Sequence, residues 1–450
     1  MEISEQLDYV VRIERVQYHR QRYRYRCQCA VESSPTGTGT ETESTGTHPQ
    51  PEQAGELPTL VIPEASEASA PSTPGIGDPR EANSADPADR SRSFTAPRPL
   101  SVIPRGIFSI NFLVQVLAWK YAWGLPLHRL RQQWASQGAA ISAGSLVGAL
   151  RALGPVLEPL YDAIKTVNRS EKRWHADETH WKVFVHHPDK SGYRWWLWVF
   201  SGARSTVFLL SPTRSAQVPK GHLQPSPNDD AEPTWFQKIL LTDFYSGYRA
   251  MLAGLIHAWC WAHIRRRFFA AWKSSPGLAD WGQAWLDRIR DLYHLYDVRA
   301  RAPIGSAAWD EADQALRTWV KSAQTTWTQE LAQPSLTEPA RKILATVQRQ
   351  WEGLTQFLDY PEIPLDNNEA ERLLRTPVVG RKNYYGSRSE WSGHLAAMVW
   401  TLWVTAEQNG RNPVTYLTEY FTAYAQNGNR PLSPERLQEF LPKQPDADTG

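Results

Sequence analysis

The stretch Trp174-His175-Ala176-Asp177-Glu178-Thr179 reads as a β-strand that carries a carboxylate beside Ala176. An unpaired carboxylate is costly to bury, so a metal or an arginine has to compensate Asp177. Two further carboxylates stand in distinctive settings. Asp243 ends the apolar run Ile239-Leu240-Leu241-Thr242, and Glu371 follows Asp366-Asn367-Asn368 on a helical segment. A strand aspartate, a strand-end aspartate and a distant helical glutamate form the set that two-metal phosphoryl transfer requires. That chemistry holds two divalent ions about 4 Å apart on hard oxygen ligands from rigid elements. Glu178 points to the opposite side of the strand and is set aside. For Asp243 a turn or N-cap role is the competing reading.

The late glutamate requires a choice. Asp366 is a natural N-cap, and Glu369 then falls at the third helical position of a capping box, which gives it a structural role. Glu371 has no such explanation and is the expected ligand. Arg375, four residues on, shares its face as an ion-pair partner or a phosphate contact. Arg372, Arg375, Arg381 and Lys382 cluster around this carboxylate, where they would position a phosphate backbone or form a solvated basic face.

Composition narrows the class. The chain has 450 residues, enough for several domains, and no apolar run of membrane-spanning length. Its N-terminus lacks the basic and apolar regions of a signal peptide. Three cysteines cannot build a disulfide framework, so a reducing cytoplasm is expected, with association with the nucleoid when DNA is bound. The net charge of +2 hides an asymmetry, because residues 31–79 hold eight acidic side chains and no Lys or Arg. The rest is basic, which suits a polyanionic partner. Any one of the 21 tryptophans is expected to pack in a core or interface, with base stacking as the minority role.

Along the chain, residues 1–30 form a small basic unit in which Arg20, Arg22, Arg24 and Arg26 alternate with Tyr23, Tyr25 and Cys27. A strand there places Arg22, Arg24 and Arg26 on one face, as phosphate contacts or as a solvated face. Residues 31–98, rich in Pro, Ser, Thr and Glu, read as a disordered linker. Residues 99–168 are helical. Phe108, Phe112, Val116 and Trp119 mark one helix, and Leu127, Leu130 and Trp134 a second, stopped at Gly138. Ser142 caps a third. This is a helix-turn-helix-like DNA-binding domain or an ordinary bundle. Strands follow at Trp181–Val185, at 193–200 and 205–210, at the run before Asp243, and near Ile256. A helix from Trp261 carries Arg265, Arg266 and Arg267, and residues 277–357 form a helical insertion. The expected fold is therefore α/β. A ribonuclease-H-like mixed sheet occupies 169–410, and 411–450 forms a C-terminal helical segment and tail.

At these residues the chain resembles the insertion-sequence-66 family of DDE transposases. The resemblance is carried by His175-Ala176-Asp177-Glu178-Thr179, Thr242-Asp243-Phe244-Tyr245, Cys260-Trp261-Ala262-His263, and Asp366-Asn367-Asn368-Glu369-Ala370-Glu371-Arg372. It spans about 99–442. It implies a catalytic and metal-binding triad of Asp177, Asp243 and Glu371, with Mg²⁺ as cofactor and Mn²⁺ as a substitute. It also implies DNA partners (terminal inverted repeats and target DNA), assembly as a multimer on DNA, and accessory proteins from the same element. Strand cleavage and strand transfer are the implied activity. The rival from another class is a catalytically silent DNA-binding descendant or repressor. Cys27 and Cys29 are more closely spaced than the cysteine pair of the family's zinc-like module, and zinc is not assigned to them.

Overall fold

The computed structural model describes residues 22–24, 93–95, 99–186, 192–223, 237–249, 255–274 and 276–443. Arg26, Cys27 and Cys29 lie outside them, as does most of 31–98. One unit comprises a two-stranded antiparallel ribbon of β1 (Arg22–Arg24) and β2 (Ser93–Thr95), with Tyr23 opposite Phe94. The period-two pattern around Arg22 thus does mark a strand. Its partner comes from the far end of the segment expected to be linker.

The second unit is described from Pro99 onward. Helix α1 (Ile110–Leu117), capped by the Ser109 hydroxyl, runs into a π-helical turn at Ala118–Ala122. It is followed by α2 (Leu127–Ser136) and α3 (Ala143–Ser170). Ser142 caps α3 as its sequence suggested, accepting from the Ser145 amide. Strand β3 (Arg173–Lys182) follows. The two strand-like runs around Asp177 and Trp181 are therefore one continuous strand, with only an isolated bridge at Val183. Next come β4 (Arg194–Ser201), β5 (Thr206–Ser211), α4 (Gln217–Leu223), β6 (Ile239–Thr242), α5 (Ser246–Arg249) and β7 (Ile256–Trp259). The helices of the second half are α6 (Trp261–Ser274), α7 (Ala279–Arg301), α8 (Ala307–Ala332) and α9 (Glu338–Thr355). They continue as α10 (Asn368–Leu373), α11 (Arg375–Tyr384), α12 (Glu390–Gln408), α13 (Pro413–Gln426) and α14 (Pro434–Gln438).

The strands form a mixed five-stranded sheet ordered β5-β4-β3-β6-β7. β3, β4 and β5 are antiparallel neighbours, while β6 and β7 run parallel to β3. Both faces are covered, as expected where parallel strands need helical crossovers. One core joins Leu197, Val199 and Phe208 of the sheet to helices α1, α3, α12 and α13. The other joins Trp174, Trp198 and Leu240 to α6 through α9. Alternate residues of β4 therefore supply opposite cores. The helices of 99–168 do not stand apart: Leu113, Leu157, Leu197 and Leu402 belong to one continuous core. Among the described residues, no helix is long and apolar enough to cross a membrane.

The edge strand β5 would expose unpaired backbone groups, and α12 satisfies them. The Thr401 hydroxyl accepts from the Phe208 amide at 2.9 Å, and Thr405 accepts from the Thr206 amide at 3.2 Å and donates to the Thr206 carbonyl at 3.1 Å. This closes one sheet edge against further strand addition. Thr401 is fully buried, so Thr401→Val is expected to leave the Phe208 N–H unpaired and to cost about 1–3 kcal/mol in chemical denaturation. Thr401→Ser is expected to stay close to wild type.

Candidate active site

β3 and β6 bring the first two carboxylates together. Their parallel register pairs His175 with Leu241, and two residues further along each strand come Asp177 and Asp243. β6 ends at Thr242, whose carbonyl accepts from the Cys260 amide at 3.1 Å. The Asp243 carboxylate accepts from the Tyr245 amide at 2.9 Å, which is the local turn its sequence allowed. Asp177 is half-buried and accepts from the Glu178 amide at 2.8 Å. Burial, the neighbouring Glu178 and the charges of Asp243 and Glu371 push the Asp177 carboxyl up to about 8. Asp243 and Glu371 are thus close enough for their charges to act on Asp177.

Glu371 reaches this place because Asn367 holds the start of α10 against β3. Asn367 is fully buried, donates from its amide nitrogen to the Ala176 carbonyl at 2.8 Å and pairs with the His175 ring at 3.2 Å. Its backbone amide meets the Cys260 thiol sulfur at 3.2 Å, and the Trp261 amide bonds the Leu365 carbonyl at 2.8 Å. β3, the head of α6 and the head of α10 are therefore locked together at one side chain. Glu371 lies within reach of His263 (3.6 Å) and Arg266 (3.8 Å) on α6. A cleft of about 330 Å³ lies between them, lined by Asp177, Glu178, His263, Arg266, Glu371 and Arg375. Among the described residues, no three His, Cys, Asp or Glu side chains converge tightly enough to enclose a metal ion as they stand.

Three local expectations are corrected. The N-cap of α10 is Asn367, and Asp366 instead accepts from the Asn368 amide at 3.1 Å. Glu369 serves no capping box: it accepts from the Ser201 hydroxyl at 2.7 Å and lies 3.5 Å from His175. α10 breaks at Leu374, so Arg375 opens a new helix. It lines the cleft rather than completing an i,i+4 pair with Glu371.

Sequence reasoning passed over Glu178. It does face away from Asp177, yet that face of β3 is also buried. Glu178 is ion-paired to Arg214, and its other oxygen accepts from the Tyr248 hydroxyl at 2.6 Å. Burial raises its carboxyl above the ordinary value, against the opposing pull of Tyr248 and Arg214. Arg214 also stacks on Tyr245 at 3.8 Å, so this group braces the turn that carries Asp243. A strand covered on both faces was the available signal, because a second acid there must have a partner.

The expected DNA contacts divide. Arg265, Arg266, Arg267, Arg372, Arg375 and Lys382 are exposed. Arg381 is partly committed, donating to the Thr179 hydroxyl at 3.1 Å and to the His180 carbonyl. Arg22 and Arg24 lie on β1, in the other unit.

The Asp177 environment yields a pH-dependent prediction. The folded protein holds the Asp177 proton up to about pH 8, whereas an unfolded carboxyl loses it near pH 4, about 3.9. Stability therefore falls as pH rises through that window. In EDTA, Asp177→Asn is expected to melt about 2–5 °C above wild type at pH 8, with the gap closing as pH falls toward 4. Thermal denaturation across pH checks this, and a pH-independent gap would refute the assignment.

Three proteins of Sinorhizobium fredii (strain NBRC 101917 / NGR234), all described as uncharacterized, are similar to the chain. y4hP is 24% identical over 368 residues, covering 77% of this chain and 64% of its own length. y4qI is 26% identical over 352 residues, covering 73% and 62%. y4jD is 25% identical over 345 residues, covering 72% and 64%. The chain thus spans less than two thirds of the length of these relatives. The sequence profile of the family described as "Transposase IS66 family" matches residues 105–395, from the first helices through the sheet to α12. By a match over more than half its length, the chain belongs to the IS66 family of transposases.

Proposed function

We propose that this chain is a DDE transposase that cleaves DNA at the ends of an insertion sequence and transfers the freed strand to a target. The observation that carries the proposal is the approach of Asp243, from the end of β6, and Glu371, on α10, to the Asp177 carboxylate of β3, where their charges add to burial and Glu178 in raising its pKa. The sheet order, with three antiparallel strands followed by two that join parallel to the first, supports a ribonuclease-H-like core. Membership in a transposase family supports DNA as the substrate.

The donor set fits hard divalent cations. It consists of carboxylate oxygens on rigid elements, one of them held above its ordinary pKa by burial and by neighbouring carboxylates whose repulsion a cation would relieve. Asp177, Asp243 and Glu371 would hold Mg²⁺. When bound, the ions supply Lewis-acid polarisation and a water of lowered pKa. The remaining work belongs to the protein. Arg266 and Arg375 line the cleft and are placed to receive phosphate oxygens, and Arg372 and Lys382 continue that basic surface. Asn367 keeps Glu371 in register with Asp177. Water attack on a phosphodiester at the element end breaks the bond from phosphorus to the 3′ oxygen. The resulting 3′-hydroxyl then attacks a target phosphodiester and displaces the target's own 3′ oxygen.

The test is strand cleavage of a labelled duplex carrying the element's terminal repeats, with Mg²⁺, Mn²⁺ or EDTA. Wild type is expected to nick at the repeat boundary only with metal. Asp177→Asn, Asp243→Asn and Glu371→Gln are each expected to lower the rate at least about 100-fold while duplex binding persists. Cleavage that survives all three substitutions would refute the proposal. Tight binding without any cleavage by wild type would instead indicate a silent DNA-binding descendant.

A further inference from the structure

Helix α6 presents two adjacent stripes at its exposed side. His263 and Arg266 turn toward Glu371. Ala262, Arg265, Phe269 and Trp272, spaced by three or four residues, line a separate cavity of about 540 Å³ against α7 and the head of α10. This volume suits a small planar ligand. Trp134, Trp174, Trp181, Trp198, Trp261 and Trp285 are fully buried, and among the described tryptophans only Trp123 and Trp272 are exposed. Trp272 is 39% exposed and Phe269 40%, with ring centroids 5.3 Å apart. The platform is rigid underneath, since a Cβ on Gly282 of α7 would come within 2.9 Å of both the Trp272 backbone nitrogen and its Cβ.

The polar lining is selective. Arg290 is neutralised by Asp287 at 2.7 Å. Arg265 has no ion pair among the described residues. Asp366 and the exposed Asn368 offer acceptors and donors at the rim. Aromatic rings, a free guanidinium and an amide edge are the components that receive a nucleotide: stacking for the base, charge for its phosphate, hydrogen bonds for its edge.

We propose that this cavity binds a single unpaired DNA base, stacked on Trp272 and Phe269, with Arg265 holding its phosphate. The proposal rests on the reading of the chain as a DNA-strand-processing enzyme. A backbone passing Arg266 meets Arg265 on the next stripe of the same helix, so the pocket receives a nucleotide displaced beside the cleavage cleft.

Full-length protein without divalent cation is tested by fluorescence anisotropy against three labelled duplexes of one sequence. One is intact, one has a short single-stranded gap, and one has abasic sites in that gap. Wild type is expected to prefer the gapped duplex. Trp272→Ala is expected to weaken gapped binding about 10-fold while changing intact-duplex binding less than about 2-fold. Trp272→Phe is expected to retain most of the preference, and the abasic gap to bind wild type as weakly as the normal gap binds Trp272→Ala. Intact-duplex binding also reports that each variant is folded. Equal gapped binding by wild type and Trp272→Ala overturns the pocket and leaves the DNA reading standing. A changed oligomeric state in sedimentation with unchanged DNA binding overturns it in favour of a second copy of the chain. Failure of wild type to bind any of the duplexes overturns both.

Discussion

The Asn367 carboxamide is where three distant parts of the chain become one site. It bonds the Ala176 carbonyl and the His175 ring on β3, while its backbone amide meets the Cys260 thiol at the head of α6. Each bond is buried, so none competes with water, and losing any one would strand a polar group in the interior. Because α10 starts at this residue, its first turn has little freedom in position. Glu371 follows four residues later, with its amide bonded to the Asn367 carbonyl at 3.3 Å. A carboxylate brought from the far side of a helical insertion needs such a fixed point. Without one, the loop entropy of the insertion would spread its position over many ångströms.

The same strand does different work on its two faces. Asp177 looks toward α10 and the cleft, and Glu178 looks toward the layer of α6 through α9. Arg214 and Tyr248 satisfy Glu178, and through Tyr245 they brace the turn bearing Asp243. The first carboxylate of the site is thus left without a strong partner, while its neighbour is fully partnered. That difference follows from burial on both faces of a central strand.

Much of this was legible in the chain itself. Apolar runs ending in aspartate gave β6 and the place of Asp243, and the Ser142 cap gave the start of α3. The short turn after Ser201 gave the hairpin of β4 and β5. What local pattern does not carry is tertiary partnership. Glu369 has the spacing of a capping box, yet Ser201 and His175 offered a better-placed buried donor and ring. The β3 strand looked broken because Thr179 and His180 interrupt its apolar character, but its pairing with β4 runs through both. The separate helical domain expected at 99–168 dissolves for a similar reason. Amphipathic helices announce that they must pack, but not against what, and here their partners are α12, α13 and the sheet.

The site's electrostatics connect its two expected ligands. Crowded carboxylates disfavour a polyanion approaching the cleft, and Arg266 partly neutralises Glu371 from α6. Arg266 is 63% exposed, so its hold on Glu371 is weak and readily exchanged. A divalent cation among the carboxylates would take over that neutralisation and free the guanidinium for a phosphate. Cation and DNA would then each favour binding of the other, as thermodynamic linkage requires of ligands with complementary charge at one site. The exposed arginines of α6 and α11 are therefore part of the same electrostatic balance as the aspartates.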